Sequence, residues 1–211
     1  MSATYDRIKG GSNAQKGEWP WQATLKKNGR HYCGASLISE RHLVTAAHCF
    51  QKTNNPKNYT VSFGTRVNPP YMQHHIQQII VHEDYIPGEH HDDIAIIQLT
   101  EKVLFKNDVH RVCLPEATQV FPPGEGVVVT GWGALSYNGK SSENLTVCQY
   151  KSTKNGGLGT ESKASFTSGC LLLRGNISGN DAYGLMALQI ALVWNVLWRP
   201  IDCRNTLTWR N

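Results

Sequence analysis

From about Ile8 to Gly133, short runs of β-forming residues are cut by turn residues at close intervals, and apolar residues show almost no helical period there. Thr60-Val61-Ser62-Phe63-Gly64 alternates polar and apolar side chains. Ile76 to His82 and Ile94 to Leu99 are rich in β-branched residues, and Gly126 to Gly131 is an apolar run bounded by glycines. Asn54-Asn55-Pro56, Asn68-Pro69-Pro70, Pro87-Gly88 and Pro122-Pro123-Gly124 supply turn chemistry between them. Several short strands at this spacing predict an all-β barrel or sandwich.

After Lys140 the texture changes. Lys151 to Ser168 is a polar run of Ser, Thr, Lys, Gly and Asn that reads as a loop or a disordered segment. Leu185 to Trp198 is apolar and reads as a short buried helix or as two strands. A long structureless stretch inside a compact domain is rare, so the last third is expected not to continue the fold begun before it. An altered reading frame or an alternative exon is the hypothesis for residues 141–211, which sequencing of the transcript would test.

The length of 211 residues admits one all-β domain or one and a half ordinary domains. With 40% hydrophobic and 18% charged residues, wholesale disorder is excluded. The net charge is +5, of which residues 141–211 carry +3 (7 basic, 4 acidic). The cations form no run, so no nucleic-acid partner is expected. The 14 residues from Leu185 to Trp198 include Gln189 and Asn195, where a membrane span needs about 20 apolar residues. Met1 to Arg7 is polar and does not resemble a signal peptide. A membrane association is therefore expected only through an upstream anchor.

Two segments carry residues suited to proton transfer. In Thr45-Ala46-Ala47-His48-Cys49, the histidine follows the strand-like pair Leu43-Val44. Alone, His48 reads either as a structural, hydrogen-bonded histidine or as a general base. In His91-Asp92-Asp93-Ile94-Ala95, Asp93 opens an apolar strand, and a carboxylate buried there needs a partner. Asp93 reads either as a cap on its own turn or as the group that orients the imidazole of His48. The adjacent pairs His74-His75 and His90-His91 are poor chelators, because neighbours on a strand point to opposite faces; they read as solvated loop histidines, and no metal is expected.

Six segments in order resemble the trypsin-like serine proteases: Arg7-Ile8-Lys9-Gly10-Gly11, Trp19-Pro20-Trp21-Gln22, Thr45-Ala46-Ala47-His48-Cys49, Asp93-Ile94-Ala95, Val112-Cys113-Leu114-Pro115 and Thr130-Gly131-Trp132-Gly133. Each is weak alone; six in sequence are specific. The wording is most similar to the airway trypsin-like subgroup of type II transmembrane serine proteases. The resemblance covers about residues 7–140. It implies an all-β, trypsin-like antiparallel β-barrel fold, with the first barrel complete and the second truncated or replaced. The expected division is a propeptide or linker remnant over 1–7, the first barrel and the start of the second over 8–140, and an unmatched segment over 141–211.

The resemblance makes His48 the catalytic base, Asp93 its orienting acid, Cys33–Cys49 a disulfide beside the base, and Arg7–Ile8 the activation bond. It implies no cofactor, protein or peptide substrates or protease inhibitors as partners, an extracellular or cell-surface location, and cleavage after Lys or Arg for an intact homologue. The family's nucleophilic serine lies in a Gly-Asp-Ser-Gly-Gly motif, which these 211 residues do not contain. Ser168 and Ser178 precede glycines but lack the Gly-Asp before them. The aspartate that would pair with a new amino group at Ile8 is missing with the motif, and Lys9 stands where a small aliphatic residue is usual. Cys113 matches a cysteine that bonds an upstream partner; no cysteine precedes Cys33, so Cys113 is expected to be a free thiol. Asn58-Tyr59-Thr60 is the best of three glycosylation sequons, the others beginning at Asn144 and Asn176. The reading is a serine-type endopeptidase family member that is catalytically inactive, with a non-catalytic binding or decoy module as the alternative. A lone first barrel is also expected to expose apolar surface and to aggregate.

Overall fold

The computed structural model describes residues 12–88, 92–114, 126–133, 141–152 and 158–159. Its elements are almost all strands, as expected. Six of them close into an antiparallel barrel in the order β2 (Gln22–Lys27), β3 (Arg30–Leu37), β4 (His42–Thr45), β7 (Ala95–Leu99), β6 (Tyr71–Val81) and β5 (Tyr59–Phe63). Pairing of β2 with β5 makes the closure, which leaves no free sheet edge.

The side-chain period of two fills the barrel. On β7, Ala95, Ile97 and Leu99 are buried while Ile96 and Gln98 are half-exposed between them. On β2 and β5, Leu25, Val61 and Phe63 are fully enclosed. The β2–β3 hairpin turns at Asn28-Gly29, whose φ values of 53° and 74° are the left-handed pair that a two-residue turn requires. Asn54-Asn55-Pro56 becomes the start of a 3₁₀ turn, Pro56–Asn58, in which the Asn55 side chain accepts from the Lys57 N–H. His74 and His75 lie within β6 rather than in a loop; His74 is half-buried against Phe63 and His75 is exposed, on opposite faces.

A second sheet combines β1 (Ser12–Asn13), β8 (Gly126–Gly131), β9 (Thr146–Ser152) and β10 (Leu158–Gly159). The β8–β9 pair runs from Gly126↔Lys151 to Gly131↔Thr146, so it spans Lys140, where the sequence changes texture. Lys151 and Ser152 pair with β10, which makes the front of the polar run a strand rather than a loop. The apolar run Leu185–Trp198, with Ser168, Ser178 and Asn176, lies outside the described residues.

Several contacts tie this sheet to the barrel, among them the bridge Arg66↔Asn144. Thr130 donates to Oε1 of Gln22 at 2.7 Å, with both residues buried. Trp132 packs with Val67 and Leu145 and lies 5.5 Å from the ring of His31.

That packing gives His31 a pH signature. Its Nδ1 shares a 2.7 Å hydrogen bond with the Thr24 hydroxyl, and burial pushes its pKa down to about 4 from an ordinary 6.5. Between those values the unfolded chain binds a proton that the folded chain refuses. The His31 contribution is therefore intact above about pH 6.5 and is lost as pH falls toward 4. One pKa unit is about 1.4 kcal/mol, so the loss is about 2 kcal/mol once the part-exposed ring is allowed for. His31→Gln is expected to flatten this acid dependence of the urea midpoint between pH 7 and 4.5; an unchanged slope refutes the assignment.

Candidate active site

The site grows out of one strand pair. Strands β4 and β7 run antiparallel and finish their register at Thr45↔Ala95. Beyond that rung both chains leave the sheet at the same end of the barrel. His48 lies three residues after Thr45 in a 3₁₀ turn, Ala47–Phe50, and Asp93 lies two residues before Ala95. A separation of 45 residues along the chain thereby becomes side-chain contact.

Asp93 holds His48 twice. Its Oδ1 accepts the His48 main-chain N–H at 2.8 Å, and its Oδ2 lies 2.9 Å from the His48 Nδ1. An ionised carboxylate only accepts, so Nδ1 carries the proton and Nε2 presents its lone pair. The exposures separate the roles: the histidine side chain is 41% exposed and the aspartate 4%. A buried carboxylate with two charge-assisted bonds is compensated, and an imidazole open on its far side can take a proton from a bound molecule. Asp93 therefore caps the backbone of the His48 turn, not that of its own. Its own turn is closed by Ile94 N–H donating to the Asp92 carbonyl at 2.7 Å, with Asp92 at a φ of 54°.

The turn that carries His48 is pinned from behind. Cys33 on β3 and Cys49 form a disulfide of 2.07 Å, with Cα atoms 6.4 Å apart. Thr45 donates its hydroxyl to the Gly34 carbonyl at 2.7 Å, which locks β4 to the same stretch of β3. Cys33, Cys49 and His48 group within 4.8 Å, but disulfide sulfurs are not the thiolates that a metal needs. Across the opening, the Gln51 side-chain amide donates to the Tyr85 hydroxyl. Neither residue had a sequence signal, since a loop-to-loop contact leaves no periodicity to read.

Other expectations fare differently. The free-thiol reading of Cys113 is overturned, because Cys113 is disulfide-bonded; pairing over distance in the chain has no local mark in a sequence. Asn58 is exposed at the end of its 3₁₀ turn, and its amide donates to the Thr53 hydroxyl at 3.4 Å. The activation pair Arg7 and Ile8, His90, His91 and the side chain of Cys148 lie outside the described residues, as do Cys170 and Cys203. No described helix is long and apolar enough to cross a membrane.

Comparison with known proteins agrees with this geometry. The trypsin family model matches residues 8–182, which is 42 residues past Lys140. Transmembrane protease serine 11B of Homo sapiens is 52% identical over 136 residues, covering 64% of this chain and 33% of the relative. Transmembrane protease serine 11C of Mus musculus is 49% identical over 139 residues, covering 66% and 32%. Transmembrane protease serine 11A of Homo sapiens is 47% identical over 146 residues, covering 69% and 35%. The chain thus spans about a third of the length of the curated relatives it matches. With a closed six-strand barrel, a buried aspartate on a part-exposed histidine and a family model matched over most of its length, the chain belongs to the trypsin family.

Proposed function

We propose that this chain is a serine endopeptidase by descent which keeps the proton-handling pair but has no nucleophile. The observation that carries the reading is the contrast between the two halves of the machinery. His48 and Asp93 are joined at 2.9 Å, while these 211 residues contain no Gly-Asp-Ser-Gly-Gly and no Asp-Ser pair. Nε2 of His48 would take a proton from a hydroxyl or water, and Asp93 would stabilise the imidazolium. No serine oxygen is supplied to attack a carbonyl, so no acyl-enzyme forms. Cleavage after Lys or Arg belongs to an intact homologue. A cut at Arg7–Ile8 would free an amino group whose aspartate partner is absent with the motif. The chemistry asks for no cofactor and no metal.

The second reading is a binding or decoy module. The barrel loops around His48 would hold peptide substrates or protease inhibitors without turning them over. The Cys33–Cys49 disulfide favours an oxidising, extracellular or cell-surface setting. Attachment to a membrane would need a segment other than those described.

A serine-directed fluorophosphonate and an arginyl peptide amide test the proposal on the full chain. The expected result is no covalent adduct and no release of amine above the uncatalysed rate. An adduct mapped to any serine would overturn it.

A further inference from the structure

We propose that the open end of the barrel around the β2–β3 hairpin is a binding surface for a sulfated polysaccharide chain. The starting observation is an imbalance of charge. Residues 19–82 contain seven Lys and Arg residues and one acid, Glu40. That acid is occupied elsewhere, paired with Lys102 at 2.6 Å. A stretch of 64 residues therefore has no carboxylate to spare for its cations.

The fold gathers several of these cations. Lys27 and Arg30 are partners across the hairpin turn, and Lys27 is also the rung partner of Tyr59 on β5. Lys57 stands two residues before Tyr59 in the 3₁₀ turn Pro56–Asn58. Lys52 precedes Thr53, whose carbonyl accepts the Tyr59 hydroxyl at 2.8 Å. Lys27 thus has Arg30 as its rung partner on one side and Tyr59 on the other, with Lys52 and Lys57 in the segment that leads into Tyr59. Arg30, Lys52 and Lys57 are exposed, and their side chains have no acidic partner among the described residues. Lys27 lies over two rings, 5.4 Å from Tyr32 and 5.3 Å from Tyr59, so its position is held by aromatic faces rather than by an anion. Beside the turn, Lys27, Asn28, Arg30, His31 and Tyr32 line an open cleft of about 510 Å³.

The character of the surface selects the partner. Single exposed ion pairs contribute about 0–1 kcal/mol, so useful affinity needs many anionic groups on one ligand. A sulfated glycan offers the densest regular array of them. A protein partner wants a buried apolar anchor, and the exposed large apolar residue here, Tyr32, has its ring under the Lys27 ammonium. The surface lies outside the proton-handling pair and does not depend on catalysis.

The test uses the full chain, made without glycosylation, and heparin as the probe. Arg30→Gln, Lys52→Gln and Lys57→Gln are combined in one variant. A control combines Lys16→Gln, Lys102→Gln and Lys106→Gln, which removes the same charge from elsewhere. The first variant is expected to weaken heparin binding by at least about 30-fold and to lower the slope of log affinity against log salt by about two to three. The control should stay within about threefold. If the triple variant does not fold, Lys57→Gln alone should weaken binding by about threefold, while Arg30→Lys with Lys52→Arg and Lys57→Arg should retain it. Equal loss in variant and control would reduce the effect to net charge and overturn the proposal. So would no loss in either, or patch-dependent binding of an oligo-glutamate peptide as tight as that of a heparin fragment of equal charge.

Discussion

Trp132→Ala is expected to lower the stability of the fold by about 3–5 kcal/mol, the range for deleting a large buried aromatic side chain. Trp132 is 1% exposed and belongs to the cluster with Val67 and Leu145 that joins the second sheet to the barrel. Its Nε1 donates to the Thr65 carbonyl at 3.4 Å, and its ring leans on His31. Truncation would empty that cluster and wet the His31 ring together, so the acid sensitivity assigned to His31 should shrink in the same variant. Trp132→Phe keeps most of the apolar contact and should cost less than half as much. Urea unfolding followed by far-UV circular dichroism measures both. A loss under about 1 kcal/mol for the alanine variant would show that the cluster does not hold the sheet to the barrel.

Replacing Cys33 and Cys49 by serine together is expected to cost about 3 kcal/mol, from the chain entropy of a loop closed over 16 residues. The effect should not stop at stability. Cys49 neighbours His48, so release of the turn loosens the histidine relative to the carboxylate. The proton on Nδ1, shielded by a 2.9 Å hydrogen bond in the native chain, should exchange faster with water. Proton NMR at low field reads this directly. Loss of stability with an unchanged Nδ1 resonance would mean that Asp93 alone holds the imidazole.

The strands on the barrel wall were legible where residues alternate. Thr60 to Phe63 alternates in sequence, Ile94 to Leu99 is rich in β-branched residues, and both hold strands. Strand β3 was not, because Gly34, Ala35 and Ser36 have weak β preference and owe their place to neighbours on both sides. The β2–β3 turn at Asn28-Gly29 is not among the turns expected from the sequence, and closure of β2 onto β5 joins residues far apart and leaves no local signal. The site divides in the same way. His48 and Asp93 stood out from their neighbours and from the family resemblance. The disulfide state of Cys113 and the Gln51–Tyr85 contact depend on distant segments meeting, which composition and spacing do not encode.

The rung Thr45↔Ala95 also has an evolutionary consequence. Everything that orients the base, from Cys33 to Leu99, lies in one unbroken stretch of the polypeptide. A family in which the acid and base travel together, apart from the nucleophile, can lose turnover in a single downstream event while the upstream half stays under its own folding constraints. The paired acid and base of such a scaffold can be put to another use without rebuilding the barrel that holds them.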